Sequence, residues 1–281
     1  MTNASIYKDI ATRTDGSIFL GVVGPVRTGK STFIKRFMET LVLPNISKNA
    51  MRERANDEMP QASAGRTIMT TEPKFIPEKA VELQLEQGAQ FSVRLIDCVG
   101  YIVPSALGYV EDDQPRMVKT PWYEEEIPFN MAAEIGTKKV ITEHSTVGLV
   151  VTTDGSISDI PRAEYADAEQ RVIEELQQLN KPFVVLLNSV DPGAVATVEL
   201  ARSLSEKYGV TVMPVNCLEL NEGDITAILA SILFEFPIRQ VTVTLPAWVS
   251  ALPKEHPLKN NLYRLVRSTA EPMTHIRELK G

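Results

Sequence analysis

Residues 18–37 read IFLGVVGPVRTGKSTFIKRF, and the rest of the chain is interpreted outward from them. Inside this stretch Gly24-Pro25-Val26-Arg27-Thr28-Gly29-Lys30-Ser31 fits G-x-x-x-x-G-K-[ST], a phosphate-binding loop. The spacing has a physical purpose. Gly24 and Gly29 let the backbone curl so that successive N–H groups point at phosphate oxygens. Lys30 would reach the outer phosphates, and the Ser31 hydroxyl would hold a magnesium ion. The flanks agree with the motif. Ile18 to Val23 is an apolar, β-branched run typical of a buried parallel strand. Ser31 to Met38 opens an amphipathic helix whose N-terminal dipole favours an anion. Gly24, Arg27, Thr28, Gly29, Lys30, Ser31 and Thr32 are therefore the expected phosphate contacts.

The chain has 281 residues and is 43% hydrophobic, which suits one large domain or one domain plus part of another. A net charge of −7 offers no electrostatic reason to expect nucleic acid as a partner. Residues from Pro253 onward depart from the rest, with six Lys/Arg against three Asp/Glu. Cys98 and Cys217 are too few and too far apart for a disulfide framework or a zinc site, and their apolar neighbours suggest buried free thiols in a reducing compartment. The N-terminus lacks the apolar core of a signal peptide, and no run reaches membrane-spanning length. A cytosolic protein with at most peripheral membrane contact is expected.

Along the chain, a short helix is expected from Ser5 to Arg13. A polar segment, Ser47 to Glu58, follows the first long helix, and Met59 to Lys74 reads as a loop. Val81 to Leu85 and Phe91 to Asp97 read as two strands joined by a turn at Gln87-Gly88-Ala89. Residues 101–130 have no regular pattern and carry two acidic clusters. They read as a lid, a binding loop or a disordered segment. A helix from Phe129 to Glu143, a strand over Thr146–Thr152, and a helix to about Leu179 capped at Asp159 come next. The strand Pro182–Leu187, a helix Thr197–Tyr208, the strand Thr211–Val215 and a helix Asn221–Phe236 complete the alternation. Strands alternating with helices predict an α/β fold, a mostly parallel sheet covered on both faces. Residues 1–238 form the expected nucleotide domain. Arg239 to Leu245 alternates cleanly, and 239–281 reads as the start of a second domain.

Asp97-Cys98-Val99-Gly100 places an aspartate at a strand end and a glycine three residues later. In phosphate-loop proteins such an aspartate binds Mg²⁺ through water, and such a glycine N–H meets the γ-phosphate. With Thr67 to Thr71 between them and Asn188-x-x-Asp191 after a later strand, the order of features matches the GTPase-like (TRAFAC-type) branch of P-loop NTPases. In that branch the last motif is N-K-x-D, and its aspartate reads guanine. Here Ser189 replaces the lysine, which weakens the guanine reading. Tyr101 stands where a Ras-like enzyme has its water-orienting glutamine, so water would be positioned differently. Asp191 has two open arrangements, reaching the base or turning outward to cap the segment at Pro192-Gly193.

The blocks GVVGPVRTGKSTFIKRFME, LPNIS, TIMTTEPKF, DCVGY, PWYEE, AAEIGTKKVI, EHSTVG and EEL-x-x-L-x-KPF together resemble the stage IV sporulation protein A family. The resemblance runs from about Ile6 to Trp248 and matches only the N-terminal part of much longer members. It implies a morphogenetic ATPase of endospore-forming bacteria that polymerises on hydrolysing ATP and builds the basal layer of the spore coat. It also implies residence on the mother-cell face of the outer forespore membrane. Recruitment there would be by a small amphipathic membrane peptide, with other coat proteins as partners, mainly through regions absent from this chain. By position, Lys30 and Ser31 are the phosphate-loop pair, Asp97 the Mg²⁺-side aspartate, and Thr70 and Thr71 the sensor threonines. Lys30, Thr70, Thr71 and Asp97 are the expected catalytic residues, and Ser31, Thr71 and Asp97 the expected metal ligands. Gly100, Asn188 and Asp191 join the phosphate loop as nucleotide contacts. Arg66 reads either as a stabilising charge, in cis or across a protomer contact, or as an ordinary exposed loop residue. Two alternatives stay open: a GTP-binding switch, and a structural assembly protein that binds nucleotide with negligible turnover.

Overall fold

The computed structural model describes residues 3–60, 73–84, 90–106, 108–111, 114–238 and 240–280. Helix α1 (Asn3–Arg13) leads into strand β1 (Ser17–Val23), the phosphate-loop segment and helix α2 (Lys30–Phe37). Helix α3 (Asn49–Asp57), strands β2 (Lys74–Gln84) and β3 (Gln90–Asp97), and two small hairpins follow. The hairpins are β4 (Val110–Glu111) with β5 (Gln114–Pro115), and β6 (Met117–Thr120) with β7 (Tyr123–Pro128). Then come α4 (Phe129–Lys139), β8 (Val147–Thr153), α5 (Arg162–Gln178), β9 (Phe183–Asn188), α6 (Val195–Tyr208), β10 (Val212–Val215) and α7 (Glu222–Phe234). Helices α8 (Ala247–Ala251) and α9 (Pro257–Ala270) close the described chain, before a short 3₁₀ turn at Ile276–Lys280.

The α/β reading holds. One six-stranded sheet has the order β10-β9-β8-β1-β3-β2, parallel throughout except for the edge strand β2. Period-two alternation distributes side chains between its faces. Val147, Leu149 and Val151 of β8 join Ile6 and Ile10 of α1, Phe33, Ile34 and Phe37 of α2, and Ile225 to Leu233 of α7 in one core. Val150 of the same strand joins Tyr165, Val172, Ile173 and Leu176 of α5 in a second core. Every residue of β8 and β9 is buried, the consequence of helices covering both faces. The Val, Leu and Phe residues of either strand therefore contribute apolar burial without a solvent-facing side, roughly 1.5–3 kcal/mol for each fully buried Val or Leu.

Several expectations are corrected. Residues 101–130 are not pattern-free, since both hairpins lie there. Their strands are too short and too polar to give a periodic signal. The helix from Phe129 ends at Lys139 and widens into a π-turn at Val140–His144 rather than running on as α-helix. Lys181 explains the closure, because its ammonium donates to the carbonyls of Ile141, Thr142 and Ser145. Helix α5 starts at Arg162 with Pro161 in the cap position and no side-chain cap, so Asp159 does not cap it. Strand β2 begins at Lys74, inside the stretch read as loop, and pairs antiparallel with β3 across an irregularity between Ile76 and Val81. The polar segment 47–58 contains α3, which buries only Ala55 and so carries no amphipathic signature. Residues 240–245 form no strand despite their alternation, because no neighbouring strand offers them a ladder. The turn at Gln87-Gly88-Ala89 lies outside the described residues. Both cysteines are buried free thiols, as expected, and burial pushes the Cys217 thiol up to about 12.

Candidate nucleotide site

The parallel strands β1, β3, β8 and β9 end at one edge of the sheet, and in such folds that edge carries the ligand crevice. The phosphate-loop segment leaves β1 there. Gly24, Arg27 and Gly29 have φ of 134°, 60° and 94°, so three of its residues are left-handed. At Gly29 an added Cβ would overlap the Asn188 amide, and the curl closes only with glycine. Thr28, fully buried, donates its hydroxyl to the Pro25 carbonyl at 2.9 Å and pins the turn from inside. Lys30 and Ser31 open α2 directly behind it. Thr32 follows half-buried on the same helical turn.

Lys30 is 5% exposed, and its ammonium donates to the carbonyls of Pro25 at 2.6 Å and Gly24 at 3.3 Å. Burial lowers its pKa to about 8, against the opposing pull of Asp97. Asp97 ends β3. Its Oδ2 accepts from Ser31 Oγ at 2.6 Å, and burial raises its pKa against that hydrogen bond and the Lys30 charge. Asp97 Oδ1 is buried and has no hydrogen-bond partner among the described residues. A buried anionic oxygen without a partner is costly unless something completes it. Ser31 and Asp97 thus fit a magnesium ion, which takes one or two protein ligands and fills its octahedron with water and phosphate oxygens. Among the described residues no group of three or more His, Cys, Asp or Glu side chains offers a competing cage.

Gly100 lies against the same ammonium; a Cβ there would overlap Lys30 Nζ and the Gly24 carbonyl. The next residue locks this approach. Tyr101 N–H donates to the Gly24 carbonyl at 3.2 Å, and Val26 N–H donates to the Tyr101 carbonyl at 2.9 Å. The Tyr101 ring is fully buried beneath Arg171, and its hydroxyl donates to Glu175 at 2.5 Å. The side chain points into α5 and away from the phosphate loop.

Asn188 sits at the end of β9 as a brace. Its Nδ2 donates to the Thr28 carbonyl at 3.0 Å, and its Oδ1 accepts from Cys217 N–H at 3.0 Å. Asp191 is exposed, and its Oδ1 accepts from Gly193 N–H at 3.1 Å, the outward arrangement of the two left open. Ser189, 1% exposed, accepts from Asp191 N–H at 3.1 Å. Thr70, Thr71 and Arg66 lie outside the described residues. The structure thus brings Lys30, Ser31, Asp97, Gly100 and Asn188 around one loop and leaves Asp191 at the surface. Sequence reading missed the bracing role of Asn188 and the part played by Asp154, Ser156 and Thr197 behind it. The Asp154-Gly155-Ser156 triplet after a strand was the available signal, as a side-chain-closed turn.

A family model described as stage IV sporulation protein A, ATPase domain, matches residues 1–237. The chain is 52% identical over 279 residues to stage IV sporulation protein A of Bacillus subtilis (strain 168), 99% of this chain and 57% of that protein. It is 51% identical to the Bacillus anthracis protein of that name and 47% to that of Clostridioides difficile (strain 630), with the same coverage. The chain therefore spans 57% of the length of the relatives it matches. With a matching family model over most of its length and relatives near half identity, this chain belongs to the stage IV sporulation protein A family through that family's ATPase domain.

Proposed function

We propose that this chain binds ATP with Mg²⁺ in the crevice at the carboxyl ends of β1 and β3 and hydrolyses it to ADP and phosphate. The observation that carries the reading is the convergence of Lys30 Nζ, the Ser31–Asp97 hydrogen bond and Gly100 on one glycine-turned loop. The sheet order, with one antiparallel edge strand beside β3, supports a GTPase-like P-loop fold. In the reaction the loop N–H groups would hold the β-phosphate, and Lys30 would offset charge growing on the transferred phosphoryl oxygens. Ser31 and Asp97, with Thr71 as the further ligand, would hold Mg²⁺, which neutralises charge between the β- and γ-phosphates. Thr70 and Thr71 would sense the γ-phosphate. ATP is favoured over GTP because Asp191 is engaged with its own turn, leaving the guanine-reading position unserved.

From the family we further propose that turnover drives self-assembly into the basal layer of the spore coat, at the mother-cell face of the outer forespore membrane. A small amphipathic membrane peptide and other coat proteins would be partners, with contacts mainly in regions beyond this chain. Residues 1–238 would be the nucleotide domain and 239–281 the start of a second one. The family match ending at residue 237 supports that division, as does α9, which buries none of its side chains.

A second reading, a coat scaffold that binds nucleotide with negligible turnover, is favoured by Tyr101, buried where a water-orienting side chain would stand. Single-turnover release of labelled phosphate separates the two. The enzyme reading expects ATP cleavage that needs Mg²⁺ and is lost in Lys30→Ala, together with triphosphate binding and without change in far-UV circular dichroism. Tight ATP binding with no phosphate release would leave the scaffold reading. Unchanged binding in Lys30→Ala would remove the site altogether.

A further inference from the structure

Behind the phosphate loop, the ends of β8 and β9 share a carboxylate–hydroxyl relay that phosphate chemistry does not use. Asp154 follows β8. Its Oδ1 accepts from Ser156 N–H at 2.9 Å and from Ser156 Oγ at 2.6 Å, and its Oδ2 accepts from Thr197 Oγ1 at 3.0 Å. Those two hydroxyls then meet the 188–191 turn. Ser156 Oγ accepts from Val190 N–H at 3.0 Å, and Thr197 Oγ1 stands 3.5 Å from Ser189 Oγ. Ser189 Oγ in turn accepts from Asp191 N–H at 3.1 Å.

The direction of this chain follows from one group. An ionised carboxylate only accepts, so the Ser156 and Thr197 protons must point at Asp154. The Ser156 lone pair is then left for Val190 N–H, and the Ser189 lone pair is left for Asp191 N–H. Burial would raise the Asp154 pKa, but hydrogen bonds from Ser156, Ser189 and Thr197 outweigh it and hold the group below the ordinary carboxylate value, keeping it an acceptor. Asp191 is thereby gripped by its N–H while its carboxylate closes onto Gly193.

We propose that Asp154 is a specificity-positioning residue: through Ser156 and Thr197 it holds the 188–191 turn with Asp191 averted from the base, so that the site accepts adenine. The inference rests on the nucleotide reading above and adds a determinant outside the phosphate and base loops. Its test compares dissociation constants for ATP, GTP and inorganic tripolyphosphate in the wild-type chain, Asp154→Asn and Thr197→Val. The amide can donate as well as accept and scrambles the relay, while valine removes one link at nearly constant volume. Both variants should shift the ATP/GTP affinity ratio toward GTP by about fivefold or more, with tripolyphosphate affinity within about twofold of wild type. An unchanged ratio in either variant, with tripolyphosphate still bound, overturns this proposal alone. Equal loss of all three ligands in Thr197→Val makes the relay merely structural and also overturns it. A wild-type chain that binds none of the three overturns the nucleotide reading, and this inference with it.

Discussion

At the scale of single residues the site is a balance of buried opposite charges. Lys30 and Asp97 both pay for burial, and each is pulled back toward its charged form by the other. On the proposed nucleotide reading, triphosphate binding needs the Lys30 proton. In the unliganded chain that proton is lost near pH 8, whereas an unfolded lysine keeps it to 10.5. Two effects of opposite sign follow. Above pH 8 triphosphate affinity should fall by about tenfold per pH unit, as binding must take up a proton. Between pH 8 and 10.5 the same group should add stability to the unliganded fold, because the unfolded chain then binds more protons. Titration calorimetry in buffers of different ionisation enthalpy would read the proton uptake directly, and a pH-independent affinity up to pH 10 would contradict it. Tyr101, which follows Gly100 where a Ras-like enzyme has its glutamine, is committed elsewhere. Its backbone zips the segment after Gly100 to Gly24 and Val26, and its hydroxyl is committed to Glu175.

At the scale of elements, helix ends decide the boundaries. Helix α7 begins with a full capping box, Asn221 and Asp224 each accepting from the other's backbone N–H. Helix α6 stops at Gly209, left-handed at φ 63°. The end of α4 has neither device. It widens at Val140–His144, and the carbonyls freed there are taken by the Lys181 ammonium, whose pKa burial lowers. Lys181→Met would keep the apolar stem and strand the Ser145 carbonyl, whereas Ile141 keeps the Ser145 hydroxyl and Thr142 faces solvent. The loss should cost about 1–3 kcal/mol, the usual range for orphaned buried polar groups. Urea unfolding should show a lower midpoint at unchanged slope, and a midpoint equal to wild type would mean that water replaces the ammonium at no cost.

At the scale of the whole molecule, β1 sits in the middle of the sheet, between β3 and β8, so the phosphate loop is held from both sides. Helix α1 is tied to the distant α7 through Tyr7 Oη and Thr226 Oγ1 at 3.0 Å, closing one face. The C-terminal segment returns to this body after α9. Pro237 bridges His275, and Arg277 donates to buried Glu235 at 2.7 Å and to the Gly209 carbonyl at 2.9 Å. Arg277→Ala should release the return: amide exchange at Ile238 and Ile276, bonded to Thr274 and Phe236, should accelerate by about tenfold or more, a local opening costing less than global unfolding. Exchange in β8 and β9 should not change. Unaltered protection at Ile276 would show that the backbone bridge alone holds the segment.

The sequence by itself determined the α/β class, the glycine-turned loop after β1, the aspartate beside it and most of the strand–helix alternation. The reason is local: period-two and period-3.6 burial and glycine spacing are written in neighbouring residues. What only the tertiary structure decided depends on partners far along the chain. The hairpins within 101–130 pair Val110 with Pro115 and Val118 with Ile127 across strands too short to show a period. Strand β2 is called into being by the edge of β3, while residues 240–245 alternate as well and find no ladder. Asn188 proved a brace to Thr28, 160 residues away, Asp154 meets Thr197 from a different element, and Asp191 lies exposed with its carboxylate on Gly193. A residue's type limits the bonds it can make, and only the fold brings it the groups with which to make them.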